Sequence, residues 1–123
     1  AEVARRAPDL LTAHYNRALT LEKLGRFAEA AEIFEIAAGI DPGRWQTCLG
    51  WGVCELQQGH AEAALEQFEK CLAASAGNAQ AMFGKAAALQ ALGRLEQAGD
   101  LYRAMIAQQL ESPALLSNVI AIS

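Results

Sequence analysis

The chain has 123 residues, 53% of them hydrophobic, and its 14 acidic and 10 basic residues leave a net charge of -4, enough chain for one domain with its own core. The cations are scattered singly apart from Arg5 and Arg6, so no basic stripe tracks a phosphate backbone and nucleic acid is excluded as a partner. Apolar runs are too short to span a membrane, and three cysteines without metal-ligand spacing exclude a disulfide framework and point to a reducing, cytoplasmic setting.

From the N-terminus, residues 1–10 read as the tail of a helix closing at Pro8. Residues 11–44 then carry a helical pattern, a glycine at Gly25, and a second helical pattern in which Ala30, Ile33, Phe34 and Ala37 draw one apolar stripe. The break Asp41-Pro42-Gly43 ends this unit. The phrase LGRFAEAAEIF, opening at Leu24, returns as QGHAEAALEQF at Gln58 and LGRLEQAGDLY at Leu92, a period of 34 residues. Periods of this size mark stacked supersecondary units. Residues 45–78 and 79–112 are therefore the second and third units, with turns at Gly59 and Gly93. Glycine suits these turns because a helix end needs positive φ there. Ser112 and Pro113 read as the N-cap and first residue of a seventh helix over 113–123. The array looks like a piece of a longer one.

The register assigns packing roles. Ala18, Gly52 and Ala86 should face Ala30, Ala64 and Ala98 across each helix pair, while Phe34, Phe68 and Tyr102 fill the space between pairs. Burial of each aromatic is worth about 2 kcal/mol or more. The expected fold is all-α, a right-handed superhelical array of antiparallel helix pairs with six full helices.

No catalytic constellation is expected. His14, Cys48 and Met82 share one register position but read as core fillers. Cys48, Cys54 and Cys71 map to separate faces as free thiols, and His60 and the line Glu62, Glu66, Glu69 read as solvated. No metal site, cofactor or phosphate loop is expected.

The stretch HYNRALTLEKLGRFAEAAEIFEIAAGIDP, followed by two looser copies, resembles the tetratricopeptide repeat, with small residues on the first helix, glycine at the turn and an alanine-aromatic-alanine pattern on the second. Departures are Ala76 and Leu110 in place of the closing proline, and Arg17, Trp51 and Lys85 where leucine is common. The resemblance implies a concave groove lined by the first helices. Carried over by register, its residues are Thr12, Tyr15, Asn16, Leu19 and Glu22, then Gln46, Leu49, Gly50, Val53 and Leu56, then Gln80, Phe83, Gly84, Ala87 and Gln90. Phe83 is the leading anchor for a partner, and Gly50 and Gly84 leave room for a partner backbone. The family's carboxylate clamp is absent, because Tyr15, Leu19, Gly50, Gln80 and Gly84 stand where its polar and cationic groups belong. The asparagine ladder of its sugar-transferring members is broken at Gly50 and Gly84 between Asn16 and Asn118.

These features imply a non-enzymatic scaffold that binds a protein or peptide segment with apolar anchors. The alternative is a regulatory or substrate-presenting arm of a larger enzyme. Leu115, Leu116, Val119 and Ile120 on the last helix suggest self-association through that end.

Overall fold

In the computed structural model, residues 2–110 are described and form six helices: α1 (Glu2–Lys23), α2 (Phe27–Ile40), α3 (Trp45–Gln57), α4 (Ala61–Ala74), α5 (Ala79–Ala91) and α6 (Leu95–Leu110). No strand occurs among the described residues. Helices α1 and α2, α3 and α4, and α5 and α6 pack as pairs, and α2 on α3 and α4 on α5 join the pairs into a stack. The seventh helix expected at Pro113, with Asn118 and the self-association residues Leu115, Leu116, Val119 and Ile120, lies outside the described residues.

The turn within each pair is built the same way three times. Gly25, Gly59 and Gly93 have φ of 79°, 85° and 80°, a region that costs a Cβ-bearing residue dearly. Around Gly25 the N–H of Arg26 donates to the Leu21 carbonyl at 2.9 Å and that of Gly25 to Glu22 at 3.0 Å. His60 to Glu55 and Gly59 to Leu56 repeat this pattern, as do Arg94 to Leu89 and Gly93 to Gln90. These paired bonds satisfy carbonyls that a helix end leaves without partners.

The start of the chain differs from the expectation. Helix α1 runs from Glu2 through Pro8 without a break, so residues 2–10 extend the first helix instead of ending an earlier one. Pro8 removes one backbone donor, but the run EVARRA before it consists largely of good helix formers, and the helix continues across it.

Small residues set the spacing within pairs. Ala18, Ala30, Ala64 and Ala86 are fully buried and Ala98 is 2% exposed, with Ala18 and Ala30 in one apolar cluster beside Leu21, Ile33, Phe34 and Cys54. Phe34 and Phe68 are fully buried between pairs. Tyr102, their counterpart, is half-buried and donates to Gln90 Oε1 at 3.2 Å. The register position that receives Phe34 and Phe68 falls, for Tyr102, at Asn118.

The cysteines are unpaired thiols, but they do not all lie on separate faces. Cys48 on α3 and Cys71 on α4 meet in one cluster with Ala81, because both helices turn these positions toward the same seam. Cys54 lies apart, in contact with Glu22.

Candidate functional site: a concave groove across the first helices

The first helix of each unit contributes to a cavity of about 300 Å³. Tyr15, Leu19 and Glu22 come from α1, Gln46, Leu49, Gly50 and Val53 from α3, and Gln80 from α5, joined by Trp45. These side chains converge because α1, α3 and α5 repeat one register and present the same face at each step of the stack. The floor is mainly apolar, and the amides of Gln46 and Gln80 supply donors and acceptors without charge.

Tyr15 is fixed from two sides. Its ring meets that of Phe34 edge to face, with centroids 6.0 Å apart at 66°, and the Arg44 guanidinium carbon lies 5.3 Å from its centroid. Neither this cation–π contact nor Trp45 in the lining follows from the register. Arg44 occupies the N-cap position of α3, where its counterpart Asn78 caps α5 with its own side chain. A non-capping residue type at that position is the signal the sequence offers. Arg44 Nε is buried without a hydrogen-bond acceptor among the described residues.

At the other end of the cavity, burial pushes the Glu22 carboxyl above the usual carboxylate range, partly offset by a hydrogen bond from Cys54 Sγ to Glu22 Oε1 at 3.9 Å and by Lys23. Burial, with the nearby Glu22 and Glu55 carboxylates, pushes the Cys54 thiol up to about 12. Burial raises Cys48 and Cys71 as well. All three thiols are held protonated at neutral pH, the form that is a poor nucleophile. Among the described residues no three His, Cys, Asp or Glu side chains converge as a metal ion requires. No helix among them is long and apolar enough to cross a membrane.

The remaining expected groove residues do not line this cavity. Thr12 and Asn16 are exposed on α1 outside the cavity, and Leu56, Gln90 and Ala87 do not line it. Phe83 is 57% exposed and packs edge to face on Tyr102, with centroids 5.9 Å apart, so it is not part of the cavity floor. Gly84 and Gly50 have a different task from the one expected. A Cβ at Gly84 would lie 2.5 Å from Cζ and 2.7 Å from Cδ1 of Phe68, and one at Gly50 would lie 2.6 Å from Cε1 and 2.9 Å from Cε2 of Phe34. Each glycine is a socket for the protein's own ring. Gly50 still borders the cavity, beside the ring it accommodates.

Two tetratricopeptide repeat family models match, over residues 1–44 and 55–121. No curated protein sequence matches the chain. Among solved structures, PcrH in complex with the chaperone binding region of PopD superposes with a TM-score of 0.80 at 23% identity, over 94% of this chain and 89% of that one. The Yersinia enterocolitica type III secretion translocator chaperone SycD gives 0.77 at 21%, over 93% and 86%. The second repeat domain of Spaghetti (RPAP3), bound to the HSP90 peptide SRMEEVD, gives 0.78 at 15%, over 87% and 98%. With the family models spanning most of the sequence and the same helical stack in each of these structures, the chain belongs to the tetratricopeptide repeat family.

Proposed function

We propose that this chain is a non-catalytic interaction module that binds a segment of a partner protein in the concave groove across α1, α3 and α5. The observation that carries this reading is the cavity of about 300 Å³ in which Tyr15, Leu19, Leu49 and Val53 make an apolar floor between the amides of Gln46 and Gln80. An apolar recess rimmed by neutral hydrogen-bonding groups suits a hydrophobic anchor whose backbone is held in register by the rim. Structures of similar fold support it: PcrH is solved with regions of PopD and PopB, and SycD with a peptide of the translocator YopD. These neighbours favour a binder of protein segments over an arm of an enzyme. The groove itself favours apolar anchors over an acidic tail, since Tyr15, Leu19, Gly50 and Gln80 stand where a clamp for carboxylates would need polar and cationic groups. The unpaired thiols fit a reducing cytoplasm, and the apolar residues Leu115, Leu116, Val119 and Ile120 support self-association through the C-terminal segment.

The test is selection of peptides from a random displayed library on the intact chain. Peptides with apolar residues at regular spacing should be enriched, and their affinity should fall at least about tenfold, a change of about 1.4 kcal/mol, in Val53→Asp and in Gln80→Arg. Gln80 is exposed, so the second variant keeps its fold if the first does not. Selected peptides that bind both folded variants as well as the parent chain would refute the concave site.

A further inference from the structure

On the opposite side of the stack, a groove of about 470 Å³ runs between α2 and α4 over α3. Four carboxylates line it, Glu32, Glu35, Glu55 and Glu66, against one ammonium, Lys70. Lys70 is already paired with Glu66 at 3.4 Å, and Glu55 meets His60 Nδ1 at 3.1 Å. No ion pair engages Glu32 or Glu35 among the described residues. Trp51 lines the groove from α3, and Gln67 lines it from α4. Gln67 is only 5% exposed, yet its Oε1 has no hydrogen-bond partner among the described residues. A buried acceptor without a donor is costly, and proteins rarely keep one without a use.

The repeat supplies an internal control. One period later a smaller groove of about 270 Å³ is lined by Lys85, Leu89, Gln97, Asp100 and Leu101, the register counterparts of Trp51, Glu55, Ala63, Glu66 and Gln67. That second groove neutralises itself. Lys85 reaches Glu69, the counterpart of Glu35, at 3.9 Å, and Arg94, the counterpart of His60, reaches Glu62 at 3.1 Å. Its positions matching Glu55 and Gln67 hold leucines, and the first unit has Leu21 and Ile33 there. The stack therefore tolerates apolar residues at both places. Only the second unit replaces them with a carboxylate and an amide, and only there does tryptophan stand where the next unit puts its own cation.

We propose that this convex groove is a second binding site, one that takes an arginine side chain from a partner protein segment. A planar guanidinium carries five N–H donors and no acceptor, which suits Gln67 Oε1 and the surrounding carboxylates. Its face stacks on an indole. It supplies from outside the charge that Lys85 supplies from within one unit later. This site shares no residue with the concave groove and stands or falls independently of it.

The probe is a hexaarginine peptide blocked at both ends, titrated into the intact isotope-labelled chain with hexalysine as comparison. Hexaarginine should shift the Trp51 indole N–H and the Gln67 side-chain amide, and bind more tightly than hexalysine. Trp51→Lys, which gives this groove the cation of the next one, and Glu35→Gln should each weaken binding at least about tenfold, as expected for loss of a charge-assisted contact. Glu29→Gln removes an equal charge outside the groove and should leave affinity unchanged. Glu35 is exposed, so its variant keeps the test intact if Trp51→Lys misfolds. Equal binding of hexalysine, equal losses in Glu35→Gln and Glu29→Gln, or shifts mapping away from Trp51 and Gln67 would each overturn the site.

Discussion

Gly50→Ala tests whether the glycines of the first helices exist to seat the protein's own aromatic rings. In an open helix interior this substitution stabilises by about 1 kcal/mol, because alanine has the higher helix propensity. At Gly50 the added methyl would lie less than 3 Å from three ring carbons of Phe34, and Phe34 is fully buried and cannot swing into solvent. Overpacking of a filled core costs about 1–3 kcal/mol. With three ring carbons involved the upper part of that range applies, leaving a net loss of about 1–2 kcal/mol after the propensity gain. Gly99 is the matched control: it lies within α6, and a Cβ there would meet nothing within 4 Å, so Gly99→Ala should gain about 1 kcal/mol. Urea denaturation followed by helical circular dichroism measures both midpoints. Phe34→Leu in the Gly50→Ala background should recover part of the loss, as coupled neighbours do. If Gly50→Ala is as stable as Gly99→Ala, the ring does not need the socket and the account of the glycines is wrong.

Asn78 Oδ1 accepts from the Ala81 N–H at 3.0 Å, the one side-chain cap found on α2 to α5. Asn78→Ala should therefore lower stability by about 1 kcal/mol in the same urea assay. Gln67→Leu should raise stability by about 1 kcal/mol or more by removing an unpaired buried acceptor, while hexaarginine binding measured in parallel should fall. The Cys54 thiol, raised from 9.0 to about 12 in the fold, keeps its proton where the unfolded chain has lost it. Its contribution to stability is complete below pH 9 and is lost as pH rises toward 12, so denaturation midpoints should decline across that window. A Cys54→Ala variant should show a shallower decline, and alkylation by iodoacetamide at pH 8 should be slow until urea unfolds the chain.

The 34-residue register alone determined the helix pairs, the glycine turns and the small residues that face one another within each pair. A spacing of three and four residues fixes which face of a helix is apolar, and one period copies that face to the next unit. Eight of the expected groove residues, Tyr15, Leu19, Glu22, Gln46, Leu49, Gly50, Val53 and Gln80, meet in the cavity for the same reason. Register assigns a residue to a face, but it does not say what already occupies the space in front of it. The tertiary structure decided that. Phe68 fills the hollow at Gly84, Tyr102 engages Phe83, and Arg44 crosses to Tyr15, each a contact between elements whose distance depends on how the helices stack. The convex groove follows the same logic. Glu35, Trp51 and Gln67 are ordinary residues in their own helices, and only the approach of α2 to α4 over α3 gathers uncompensated carboxylates and an unpaired amide around an indole. Charge balance between neighbouring units is a long-range property, set by distances that local periodicity does not encode.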